Sequence, residues 1–144
     1  MTAPNQTIAG RVARKSHAVL SAAVLLWAAL LASGTAHALD PIVDIEDSPI
    51  PSGLSMKQIK KAIIRAGAQR KWIIRESSPG VMEGILNVRK HMVKVDLRYN
   101  RKTYSITYKD SVNMKYRGGL IHRKYNAWVQ NLNTDIQTNL LLEE

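Results

Sequence analysis

The chain has 144 residues, with 21 Lys and Arg against 11 Asp and Glu and a formal net charge of +10. It contains no cysteine, which excludes disulfide staples and thiolate metal ligands and argues against a lipid-modified N-terminal Cys. A balance this basic favours polyanionic partners over acidic surfaces of its own kind.

Arg11, Arg14 and Lys15 precede an apolar run from Ala18 to Ala32 that only Ser21 interrupts, and Ala36-His37-Ala38 follows it. A basic start, an apolar middle and an A-x-A end predict a secretory signal peptide over residues 1–38, cut between Ala38 and Leu39. The run is shorter than the roughly 20 apolar residues of a membrane span. The expected product is a periplasmic or secreted chain of 106 residues, enough for one domain, with 18 basic against 11 acidic residues. Four of the acids (Asp40, Asp44, Glu46 and Asp47) fall in residues 39–54 with Pro41, Pro49 and Pro51, so this stretch reads as an acidic linker. The single domain is expected over residues 55–144.

Ser55-x-x-Gln58 is a capping-box pattern, and Met56, Ile59, Ile63 and Ala66 follow at helical spacing until Gly67 to Arg70. Four strand-like runs come next. Lys71 to Glu76 carries Trp72 and Ile74, and Ser78-Pro79-Gly80 marks a turn. Met82 to Val88 shows Met82, Leu86 and Val88 on one face, while Val93, Val95, Leu97 and Tyr99 alternate with Lys94, Asp96 and Arg98. Tyr104, Ile106 and Tyr108 alternate with Ser105, Thr107 and Lys109. Links this short join antiparallel neighbours, so the runs form a meander. A last helix is expected over about 121–142, with Ile121, Tyr125, Trp128, Leu132, Ile136 and Leu140 as its stripe. The predicted fold is α+β: a two-layer sandwich of a four-stranded antiparallel meander with both helices on one face, in the order α-β-β-β-β-α.

Polar and aromatic residues concentrate after Tyr108. The string Ile121-His122-x-x-Tyr125-Asn126-x-Trp128-Val129-x-Asn131-Leu132, with the Arg89-Lys90-His91 turn and the Tyr104 to Tyr108 strand, resembles a family of small exported proteins and lipoproteins of Gram-negative bacteria. The resemblance covers about residues 55–136. It implies export and a single domain and supplies no activity, because that family is itself uncharacterised.

Asp110, Ser111, Asn113, Tyr116, His122 and Asn126 form a candidate polar cluster. Asp110, Ser111 and His122 invite a Ser-His-Asp reading, although no Gly-x-Ser-x-Gly elbow accompanies them. His91 and His122 lie in no metal-ligand pattern, so no metal and no cofactor are implied. Glu76 and Glu83 flank the first hairpin turn, where paired carboxylates could face each other. Tyr116 sits outside the periodic segments and is the aromatic expected at the surface.

By alternation Arg89, Lys94, Arg98 and Lys109 point away from the helices and make a candidate polyanion-binding surface on the sheet. It has no exposed aromatic for base stacking, which disfavours nucleic acid. The expected function is non-enzymatic recognition of an anionic cell-envelope polymer, a lipid headgroup or an envelope protein. The alternatives are a small hydrolase built around His122 and a structural partner docking through an edge strand.

Overall fold

A computed structural model describes residues 39–143. The signal peptide expected over 1–38 lies outside the described residues. The elements run β1 (Leu39–Pro41), β2 (Ile45–Pro49), α1 (Met56–Gln69), β3 (Trp72–Ser78), β4 (Val81–Val88), β5 (His91–Tyr99), β6 (Thr103–Val112), β7 (Leu120–His122) and α2 (Lys124–Leu141).

The four-stranded meander β3 to β6 forms as its alternation predicts, but the sheet has a fifth strand, β2, beside β6. The sheet order is β2-β6-β5-β4-β3, every neighbour antiparallel, and β1 pairs with β7 in a separate two-stranded ribbon. Of the added strands, β1 and β2 come from residues 39–54 and correct the linker reading, while β7 comes from the start of the expected last helix. Ile45 pairs with Ile106 and Ser48 with Tyr104, while Ile50 and Leu54 enter the core. Proline and acidic residues did not prevent this because β2 is an edge strand. Only one side of an edge strand must donate to a ladder, and Pro49 ends it. Side chains tie the segment down further. Asp44 Oδ1 accepts the Tyr108 N–H at 2.8 Å, and the Asn126 amide donates to Pro41 O at 2.8 Å and accepts from Val43 N–H at 3.0 Å.

Helix α1 begins with the capping box intact. Ser55 Oγ accepts the Gln58 N–H and Gln58 Oε1 accepts the Ser55 N–H, satisfying two end donors, an arrangement worth about 1 kcal/mol. Its buried face is Ile59, Ala62, Ile63, Ala66 and Gly67. Helix α2 starts later than expected, at Lys124. Ile121 is fully buried, yet it sits in β7; its spacing to Tyr125 mimics a helical stripe across a strand-to-helix junction. These helix residues join Met82, Leu86, Val93, Val95, Leu97, Tyr104 and Ile106 in one core cluster. Gly84 lets Trp72 and β5 close over β4, since a β-carbon there would lie 3.0 Å from Val95 and 3.4 Å from the Trp72 ring.

Among the described residues, no helix is long and apolar enough to cross a membrane.

Candidate functional site

The meander alternates ends. The α1–β3 turn, the β4–β5 turn, the β6–β7 loop and the start of α2 all lie at one end, because each strand reverses the one before. Those links carry Arg70, Lys71, Arg89, Lys90, Lys115, Arg117, Arg123 and Lys124. The opposite end receives the Pro79-Gly80 turn and the β5–β6 link, with Arg101 and Lys102.

Several residues at the cationic end have left-handed backbones. Lys71 has φ 64°, Arg89 54°, Asn113 58° and Lys115 54°. Lys71 follows the C-cap of α1, and Arg89 is the first residue of the two-residue turn between Val88 and His91. Glycine is the usual occupant of both places; a long side chain there costs about 1 kcal/mol.

Hydrogen bonds set the two histidines. The His91 Nδ1–H donates to Asn113 O at 2.8 Å, and the Asn113 amide donates to Lys90 O at 2.7 Å, so the loop after β6 is stitched to the β4–β5 turn. His122 donates its backbone N–H to Met114 O at 2.9 Å, and its Nδ1 accepts the Lys124 N–H at 3.2 Å. The rings face each other with centroids 6.1 Å apart. Partial burial, then the proximity of His91, Lys115, Arg123 and Lys124, pushes the His122 imidazole below its ordinary pKa, so its neutral form is favoured.

Around the pair lies a half-open hollow of about 390 Å³, walled by Val88, Arg89, Met114, Lys124 and Trp128. A second hollow continues past Arg89 and Trp128 to Lys71, Trp72 and Asn131, and a third opens beside Lys90, Asn113 and Lys115. No carboxylate lines any of the three. Arg70, at the rim, is already held by Asp135 at 2.5 Å.

The sheet's outer face is different, and it alters the expectation placed on Lys94, Arg98 and Lys109. Glu83 and Asp96 stand directly opposite each other, and Lys109, at a bulge in β6, reaches both at 2.9 Å. Lys94 is in register with Asp110 and Arg98 with Ser105. The acids of β2 join the same sheet, with the Asp47 N–H bonded to Ser105 Oγ. The face is a mixed-charge surface. Of the four expected polyanion contacts, only Arg89 belongs to the cationic end.

The candidate polar cluster divides. Asn113 and His122 come together with His91. Ser111 Oγ instead pairs with the Tyr108 hydroxyl at 3.0 Å, and Asp110 Oδ1 accepts the Ser111 N–H. Tyr116 is 50% exposed and stacks on Tyr108 at 4.8 Å. Asn126 clasps the β1–β2 segment. The Ser-His-Asp arrangement is therefore not assembled: the hydroxyl points to a tyrosine, and neither Asp110 nor Ser111 lines a hollow with His122. The carboxylates flanking the first turn also separate. Glu76 pairs with Met82 on the helix side and binds Lys60 and the Tyr99 hydroxyl, whereas Glu83 faces outward to Lys109. Lys60 and Tyr99 together hold the Glu76 carboxyl below its usual range, and burial and Glu76 push Tyr99 up to about 12.

Sequence reasoning passed over His91 and Trp128 as site residues. The signal was the parity of the links: in a meander, alternate basic turns must meet at one end.

No protein-family model matches the chain, and no curated protein matches it.

Proposed function

We propose that this is an exported, non-enzymatic binding domain that recognises an anionic group of a cell-envelope component at its cationic end. The observation that carries the reading is a set of joined hollows lined by Arg89, Lys90, Lys115, Lys124 and two histidines, with no carboxylate among the lining residues. A concave site with cations left unneutralised attracts anions far more than the same charge spread among acids. Trp128, half-buried between two of the hollows, adds an apolar ledge for the uncharged part of a ligand. Export follows from residues 1–38 and from the resemblance carried by the Ile121 to Leu132 string. It directs the search to lipopolysaccharide, anionic headgroups and acidic glycans.

A protein partner adding a strand is the competing reading. Strand β3 is the other edge of the sheet, and it leaves Ile73 48% exposed.

An amide NMR titration with lipopolysaccharide, anionic lipid micelles and peptidoglycan fragments separates the two. Saturable shifts at Arg89, His91, Lys115, His122 and Trp128 that weaken steeply with salt support the anion reading. Shifts confined to β3 and insensitive to salt favour strand addition, and silence at the cationic end removes the leading proposal.

A further inference from the structure

The two histidines have opposite hydrogen-bonding roles, and this gives them different responses to a bound anion. Asn113 O is an acceptor, so the His91 hydrogen sits on Nδ1 and the neutral ring has its lone pair at Nε2. Protonation of His91 adds a hydrogen at Nε2 and breaks nothing. His122 is the reverse. Its Nδ1 accepts the Lys124 N–H, so its hydrogen sits on Nε2, and protonation would set a second hydrogen against that amide. Protonating His122 would thus cost its bond from the Lys124 amide, whereas a hydrogen added at Nε2 of His91 costs no bond.

The surroundings favour an anion over a metal cation. Arg89 and Lys90 face the pair from the β4–β5 turn, Lys115 from the β6–β7 loop, Arg123 from the residue before α2 and Lys124 from its first position. Lys71 stands across Trp128, and Arg70 is paired with Asp135. A carboxylate brings one charge and two oxygens to this set. A terminal tetrahedral dianion brings two charges and three free oxygens, enough to meet both rings and an Arg or Lys together.

We propose that the hollow lined by both His91 and His122 binds a phosphomonoester, and that His91 takes up one proton from solvent as it binds. The proton goes to Nε2, which becomes a second ring donor to the dianion while His122 donates from its own Nε2. No covalent bond changes. The rest of the ligand, a sugar or a glycerol backbone, lies toward Trp128 where the hollows join. The inference rests on the anion-binding reading above and adds the charge, shape and proton of the ligand.

The test is an NMR pH titration of both imidazoles in the purified protein, in sodium sulfate and in sodium chloride of matched ionic strength. Sulfate is a tetrahedral dianion that does not titrate near neutrality, so any proton taken up belongs to the protein. Sulfate is expected to raise the His91 midpoint by about one pH unit and to move that of His122 much less. Inorganic phosphate at pH 7.5 is expected to bind with the same ring shifts. His91→Gln keeps a donor at the site and is expected to bind sulfate several-fold more weakly, with no proton uptake by calorimetry in two buffers. Binding at this end without movement of the His91 midpoint, or with His122 moving instead, overturns the proton-linked site and leaves the anion reading standing. No binding of sulfate, phosphate or phosphatidic-acid vesicles overturns both. Glucosamine 1-phosphate against phosphatidic-acid vesicles then separates a glycan from a lipid source, and tighter binding of either supports the phosphomonoester class.

Discussion

The outer face of the sheet and the end of the domain both carry basic side chains, yet of the two only the end is electrostatically open. On the sheet, Lys109 is shared by Glu83 and Asp96, and Lys94 stands across from Asp110. At the end, Arg89, Lys90, Lys115 and Lys124 surround two histidines with no acid among the residues that line the hollows. The strand register decides which cations are already answered. Cross-strand pairing brings acids and bases together on a sheet, whereas turns gathered from three links have no partner strand to supply the acids.

The largest expected effect tests that contrast directly. Arg89→Glu with Lys124→Glu should weaken binding of anionic vesicles by about tenfold or more at low salt, taking roughly 1 kcal/mol per basic residue near an anionic surface. Lys94→Glu with Arg98→Glu should change it by less than about twofold, with co-sedimentation as the measurement. Equal losses from the two pairs would return the binding surface to the sheet.

Arg89→Gly comes next. It removes a site cation and also relieves a left-handed backbone, so stability in urea should rise by up to about 1 kcal/mol while anion affinity falls. Opposed signs are the signature of a residue held in a strained position for binding. A loss of both would make Arg89 a structural residue.

Lys109→Met asks the reverse question on the sheet. It leaves Glu83 and Asp96 facing each other without a cation, so the urea midpoint should drop, and added salt should recover part of the loss. Anion binding should be unchanged.

The smallest effect is a pH dependence. His122 has its pKa lowered in the folded domain by burial and by neighbouring positive charge, while in the unfolded chain it titrates near its ordinary value of about 6.5. Between those values the unfolded chain binds more protons, so the stability contribution is intact above about pH 6.5 and is lost as pH falls through the folded value. His122→Gln should flatten that decline in thermal melts at pH 7.5 and 5.0, and a bound dianion should oppose it.

Much of the fold was legible because its signals are local. The capping box at Ser55, the alternation of β5 and β6 and the turn at Pro79-Gly80 each specify a neighbour within a few residues. Strands β1 and β2 were not, because their apolar content is thin (Ile42, Ile45 and Ile50 among acids and prolines) and their pairing is supplied by β7 and β6, about 60 to 80 residues downstream. Ile121 misled for the opposite reason: a residue from a short strand fell in phase with the helix behind it. For the site, His122 stood out by its surroundings in sequence, but His91 acquires its importance only when the β4–β5 turn and the loop after β6 are brought to the same end. The acid–base pairing that neutralises Lys109 depends on a bulge opposite Lys94 and Val95, and no alternation pattern predicts where a strand gains a residue.

The pairing of β1 with β7 bears on the order of events in the life of the chain. Leu39 is half-buried and lies opposite His122 in the ribbon, with no spacer between it and the bond at which the presequence is expected to be cut. A peptidase needs that bond in extended, accessible chain, and a docked β1 withholds the residue on its downstream side. On the proposed export reading, a cut between Ala38 and Leu39 would have to precede the pairing of β1 with β7. Maturation would then act as a clock, with the ribbon beside the histidine pair closing only after the chain has been released.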